Sequence, residues 1–190
     1  MPSVFSHAIA AVAVGAVAVG GRARAPVWVL GALCAVVPDL DVVTSFVFRI
    51  PYRDMLGHRG LSHSLLAAAV LALLVTAVTR RAWPESPGAA TLWLYFFAAT
   101  ASHGLLDAMT NGGLGVAFFA PFSDTRFFPW RPILVSPISL HVFFGYHGVR
   151  VMWSELGWIW LPAALIFLAG LALRRRPARQ PVEVAGRRSS

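Results

Sequence analysis

Two histidines, His58 and His63, frame the stretch Gly57-His58-Arg59-Gly60-Leu61-Ser62-His63-Ser64, which runs directly into the apolar segment 65–78. Ionisable groups are costly beside hydrocarbon and persist there when they pair with one another or build a site. Other stretches carry reactive side chains in similar settings: His7, Asp39 and Asp41 on either side of Leu40, His103 with Asp107, and Asp124 with Arg126. His103 and Asp107 are spaced to project from one helix face about one turn apart. Asp39 and Asp41 can turn both carboxylates to one side in an extended or turn conformation. If a helix begins near Leu61, His63 stands in its first turn and His58 reaches back from the loop before it. Imidazoles and carboxylates together suit zinc, manganese or iron. Each group alone has a plainer explanation: an interfacial histidine for His7, a turn or cap for Asp39, a hydrogen-bonded pair for His103 and Asp107, lipid headgroups for Arg59 and Arg126. His141 and His147 lack an acidic neighbour and read as interfacial.

The elements that must position these groups follow from composition. The chain has 190 residues, 57% hydrophobic and 13% charged, against roughly 25% charged in a soluble domain. This composition belongs in a membrane. Net charge is +8 and every basic residue is arginine. In so apolar a chain that excess belongs at membrane edges, and no nucleic-acid partner is expected. Cys34 has no second cysteine to pair with and reads as a small buried hydrophobe. The first arginines, Arg22 and Arg24, follow the first apolar run rather than precede it, so a cleavable signal peptide is not expected.

About 20 apolar residues cross a bilayer as a helix. On that measure the chain is all-α and polytopic, with about five spans: 4–20, 26–37 resuming as 42–48, 61–79, 89–106 and 156–173. Ala8, Ala11, Gly15 and Val19 share one face of the first and invite close helix approach. Pro38 predicts a kink or helix end near Val37. Residues 133–149, apolar but holding Pro137 and two histidines, read as interfacial or re-entrant. One integral membrane domain, 1–176, is followed by a basic tail, 177–190, expected to be disordered.

Arginine asymmetry sets the orientation. With Arg22, Arg24, Arg80, Arg81 and the C-terminal arginines in the cytoplasm, the N-terminus lies outside and the C-terminus inside. This topology uses no histidine or aspartate, yet it sends His7, Asp39, Asp41, His58, His63, His103 and Asp107 to one membrane face. A structural zinc takes four ligands and a catalytic zinc about three plus water. Seven candidates therefore suit one or two ions with acid–base and supporting partners. Paired metals hydrolyse phosphoesters, and arginine forks near such a site suit phosphate.

His7, Pro38-Asp39-Leu40-Asp41, His58-Arg59-Gly60-Leu61-Ser62-His63-Ser64, Ser102-His103-Gly104-Leu105-Leu106-Asp107-Ala108-Met109-Thr110 and the stretch from Gly115 through Ala120-Pro121-Phe122-Ser123-Asp124-Thr125-Arg126-Phe127 together carry a resemblance. Over roughly residues 1–140 the chain resembles the YdjM-like family of bacterial inner-membrane proteins, described as membrane-bound metal-dependent hydrolases. Ser62 stands where the family pattern often has threonine, which keeps the hydroxyl. The resemblance implies an inner-membrane location, hydrolysis, and metal or catalytic roles for His7, Asp39, Asp41, His58, His63, His103 and Asp107. The expected reaction is attack by a metal-activated water on a phosphoester of a lipid or membrane-proximal substrate. Asp41 or Asp107 would take the proton, and Arg59 and Arg126 would hold phosphate oxygens. The expected cofactor is one or two divalent transition ions, zinc first, manganese or iron next. Two other classes stand beside this one: a structural or assembly protein pinned by metal, and a metal-ion transporter. The runs 65–78 and 156–173 carry no ionisable residue, which disfavours a transport path through the midplane.

Overall fold

Proline, glycine and arginine divide the chain into helices. The computed structural model describes residues 1–137 and 140–174. Its helices are α1 (Val4–Ala18), α2 (Ala25–Cys34), α3 (Asp41–Phe48), α4 (Leu65–Ala82) and α5 (Ala89–Ala108), then α6 (Leu140–Phe143), α7 (Tyr146–Glu155) and α8 (Leu161–Arg174). A π-turn, Leu156–Trp160, joins α7 to α8. Among the described residues the only β pairing is two isolated bridges, Thr110 to Ile133 and Val116 to Phe127.

Local chemistry explains the ends. Ser64 caps α4, its hydroxyl accepting from the Ala67 amide at 3.0 Å, and Arg80 and Arg81 lie in the last turn, where cations favour the helix dipole. Pro38 stands in a 3-10 turn, Val37–Leu40. The chain bends there by 47° between α2 and the following helix Val37–Phe48, as the proline predicts.

Among the described residues three helical stretches are long and apolar enough to cross a membrane, Leu65–Ala82, Ala89–Ala108 and Tyr146–Leu173; the bent pair makes a fourth if it is one broken span rather than a re-entrant loop. The polytopic all-helical class therefore holds, with a lower count than the five spans expected. α1 has 15 residues, about 22 Å at 1.5 Å per residue, short of a hydrocarbon core of about 30 Å. The last span starts at Tyr146 rather than Leu156 because the π-turn carries the helix through without a break. The tail 177–190 lies outside the described residues.

α5 is the axis of the packing. Its Leu92, Tyr95, Phe96 and Ala99 are fully buried against Ala11 and Val19 of the first helical segment, Val27 and Cys34 of α2, and Ala72 of α4. Small residues permit this approach. A Cβ at Gly15 would stand 2.8 Å from the Trp28 ring, and one at Gly31 would fall on the Tyr95 hydroxyl and ring. At the end of the bundle formed by the turns after α1 and α4, Arg24 pairs with Glu85. The opposite end holds the polar groups.

Candidate metal centre

α5 ends with His103 and Asp107, both fully buried. The first turn of α1 supplies His7, also fully buried, its ring stacked on His103 with centroids 3.9 Å apart. Asp39 comes from the 3-10 turn at Pro38, and His63 from a second one, Leu61–His63, just before α4. The loop between is a chain of tight turns: the amides of Asp54, Gly57 and Gly60 donate to the carbonyls of Pro51, Asp54 and Gly57. A side chain at Gly60 would strike the Met55 carbonyl.

Hydrogen bonds aim the imidazoles. His103 Nδ1 is 2.7 Å from the Ala35 carbonyl, so Nδ1 carries the proton and Nε2 offers a lone pair. His63 Nδ1 is 3.1 Å from Asp41 Oδ2, so in the neutral ring its Nε2 offers a lone pair as well. The two Nε2 atoms stand 3.0 Å apart. His63 Nε2 is 3.4 Å from Asp107 Oδ2, His103 Nε2 is 3.3 Å from Asp39 Oδ1, and His7 Nε2 is 3.7 Å from Asp107 Oδ1. Ligand atoms about 2.0–2.1 Å from a tetrahedral ion stand roughly 3.3 Å from one another. The ligand atoms offered by Asp39, His63, His103 and Asp107 all lie within 4.8 Å of each other.

Burial makes this convergence informative. Both nitrogens of His7 and both oxygens of Asp39 and Asp107 are buried without a hydrogen bond. Buried polar atoms are otherwise almost always bonded. Six such atoms lie on three neighbouring side chains, with Asp39 Oδ1 and Asp107 Oδ2 close to the Nε2 atoms of His103 and His63 and His7 Nε2 close to Asp107, a set that fits a divalent cation.

Asp41, His58 and His63 form a second group of different character. Asp41 Oδ1 is 2.6 Å from His58 Nδ1. Its Oδ2 receives the Ser62 hydroxyl at 2.5 Å and the Arg59 amide at 3.1 Å, beside His63 Nδ1. This carboxylate is surrounded by donors and orients the two histidines. A cavity of about 420 Å³ reaches it, with Val37, Leu40, Leu56 and Leu61 on its walls and Asp41 and Ser62 as its polar members. Burial disfavours a charged His63, but the carboxylates of Asp107 and Asp41 outweigh it and push its pKa up to about 9.

The arginines are engaged within the protein. Arg59, 2% exposed, lies with Nε 2.9 Å from Asp107 Oδ2, an ion pair without the alignment of a hydrogen bond. Its other nitrogens donate to Thr110 Oγ1 and the Gly112 carbonyl. Arg126 donates to the carbonyls of Tyr52, Asp54, His58, Arg59 and Gly115. It clamps the loop from behind, and Asp124 beside it is exposed. The structure thus gathers His7, Asp39, Asp41, His58, Arg59, His63, His103 and Asp107, and leaves Arg126 outside the cluster. His147 is exposed on α7; the side chain of His141 lies outside the described residues. Thr110 and the Ala35 carbonyl were not expected. Thr110 had a signal, a hydroxyl three residues after Asp107, whereas a backbone carbonyl leaves none.

The matches to known proteins run through all of these positions. "Inner membrane protein YbcI" of Escherichia coli (strain K12) is 40% identical over 178 residues, covering 93% of this chain and 100% of the relative. No solved structure matches the chain. The family model described as YdjM inner membrane protein matches residues 1–178, a span that takes in the four long apolar stretches and the whole polar cluster, and the chain belongs to that family of inner-membrane proteins.

Proposed function

We propose that this protein is a membrane-embedded metal-dependent hydrolase, with a phosphoester of a lipid or membrane-proximal molecule as its substrate. The observation that carries the reading is the set of buried, unbonded atoms of His7, Asp39 and Asp107 facing His63 and His103. Zinc is the first candidate, manganese and iron the next. When bound, such a cation supplies a water acidified toward a pKa of about 7 and a Lewis acid for a phosphoryl oxygen.

The chain's own residues orient and exchange protons. Asp41 and the Ala35 carbonyl aim His63 and His103. Arg59 balances the charge of Asp107. Asp41 lines the cavity and holds His58 Nδ1, which leaves His58 Nε2 free to accept a proton. The Asp41–His58 pair is therefore the proton acceptor, in preference to the enclosed Asp107. Arg59 and Arg126 spend their donors on protein groups, so the phosphoester assignment rests on the cation and the membrane setting.

Asp39→Ala is the variant of choice, because Asp107→Ala would also strand the buried Arg59 charge. Wild type purified without chelator is expected to retain a transition metal and to hydrolyse some members of a panel of phospholipids, polyprenyl phosphates and generic phosphodiesters, with chelator sensitivity. Asp39→Ala should insert normally and lose most of the metal. Wild type holding no more metal than Asp39→Ala would sink the reading. Turnover only of carboxylic ester or amide controls would keep the hydrolase and remove the phosphoester.

One observation favours a second reading, a cation that only pins the ends of α1, α5 and the turns between: His7, His103 and Asp107 are fully buried. That reading requires a coordination sphere without exchangeable water, which water-proton relaxation of the Mn²⁺-loaded protein measures.

A further inference from the structure

Glu155 is a fully buried carboxylate outside the metal centre. It closes α7, directly before the π-turn. Its Oε1 is 2.5 Å from the Ser3 amide, and its Oε2 receives the hydroxyls of Ser3 at 2.5 Å and Ser6 at 2.6 Å. Ser6 in turn accepts the Trp160 indole N–H at 2.7 Å. Among the described residues no cationic side chain pairs with Glu155. Burying a carboxylate is expensive, so a purely packing role would be better filled by an apolar residue.

The residues it grips explain the expense. Ser3 is the N-cap of α1, where the first amides lack partners and the dipole favours a negative group. After His7, residues 8–18 are only Ala, Ile, Val and Gly. So smooth a stretch offers no polar side chain to fix the rotation or axial register of the helix, a task for which one buried polar contact serves well. The π-turn contributes. In an α-helix, residues five apart point about 140° away from each other; the wider π-turn lets Glu155 and Trp160 reach the same Ser6. The imidazole of His7, one residue on, makes no hydrogen bond and takes its place from the seat of α1.

We propose that Glu155 is a positioning residue for the metal centre: by holding Ser3 and Ser6 it sets the register of α1, and so brings His7 to the cation shared with His103 and Asp107. This rests on the cation reading above. The test is Co²⁺ titration of the full chain in nanodiscs, following affinity and the visible Co²⁺ spectrum, for wild type, Glu155→Ala, Glu155→Gln, His7→Ala and the Glu155→Ala/His7→Ala double variant. Glu155→Ala should weaken binding about 10-fold or more, the size typical of losing a group that orients a ligand, and its spectrum should match that of His7→Ala. Glu155→Gln keeps acceptor oxygen and should recover most of the affinity. In the His7→Ala background, Glu155→Ala should cost nothing further. Glu155→Ala binding like wild type, or an equal loss with and without His7, would overturn the proposal. If Glu155→Ala fails to insert, Trp160→Phe and Ser6→Ala are judged by the same non-additivity with His7→Ala. A wild type that binds no Co²⁺ or Zn²⁺ would fail the cation reading itself, a result distinct from binding without coupling.

Discussion

The two nitrogens of His63 face different partners, and that division sets a pH dependence. Nδ1 belongs to Asp41, while Nε2 points to His103, Asp39 and Asp107. In the cation-free protein the His63 pKa is pushed up to about 9, above the ordinary histidine value of about 6.5. A raised folded-state pKa means that the bound proton stabilises the cation-free fold fully below about pH 6.5, a contribution lost as pH rises through about 9. Cation binding requires the neutral ring and runs the other way. Affinity for Zn²⁺ or Co²⁺ should climb about tenfold per pH unit between roughly 6.5 and 9 and then level off, while the unfolding midpoint of the chelated protein falls over the same interval. An affinity flat across that window would show that no proton is displaced. The ligand candidates were legible in the sequence because an ionisable group in an apolar run is costly wherever it stands. The engagements of Arg59 and Arg126 were not. Their partners are mostly backbone carbonyls, and which carbonyls meet depends on the path of loops that no periodicity describes. Glu155 was equally silent, since one glutamate before an apolar run looks like an interfacial residue.

At the scale of elements, close approach around α5 decides the packing. Lipid tails are as apolar as leucine, so helices in a membrane associate through fit and small residues. Gly31 of α2 lies where a Cβ would meet Tyr95 of α5, and Tyr95 is fully buried. Gly31→Ala is expected to destabilise by about 1–3 kcal/mol, the usual cost of overpacking, read as a lower unfolding midpoint in detergent. Gly157 has open space where its Cβ would be, so Gly157→Ala should stay within about 1 kcal/mol of wild type, with alanine's better helix propensity in its favour. Equal effects of the two would show that the α2–α5 contact is looser than described. The sequence already marked this packing face: Ala11 and Gly15 of α1, with Val19 just after it, are buried as their spacing predicts, while Ala8 of the same set is only half-buried. It marked the bend at Pro38 as well. What it missed was the length of the last span, because a π-turn has no signature in hydrophobic spacing and the residues before it looked like a loop.

For the whole molecule, the open quantity is which way it faces. The structure sorts the ends of the bundle without reference to charge. His63 precedes α4, Asp39 follows α2 and Asp107 closes α5, and their ligand atoms converge; His7, in the first turn of α1, reaches the same end through Asp107 and the His103 ring. At the other end Arg24 pairs with Glu85, joining the turns that carry Arg22, Arg80 and Arg81. Gly170 of α8 packs against the backbone of Ala16 and Val17, near the far end of α1, so the final span runs toward that same end. The arginine rule predicts that end in the cytoplasm and the candidate metal centre on the outer side. Single cysteines in a Cys34→Ala background test this with an impermeant maleimide on intact spheroplasts. Ser86 is 7% exposed, too enclosed to report on sidedness, whereas Gly88 and Asp124 are exposed at opposite ends. Asp124→Cys should label and Gly88→Cys should label only after lysis. With that orientation, a membrane-impermeant chelator added to spheroplasts should strip the metal without lysis. The reverse labelling would turn the candidate centre toward the cytoplasm, and the proposed phosphoester substrate would then have to be sought among inner-leaflet headgroups.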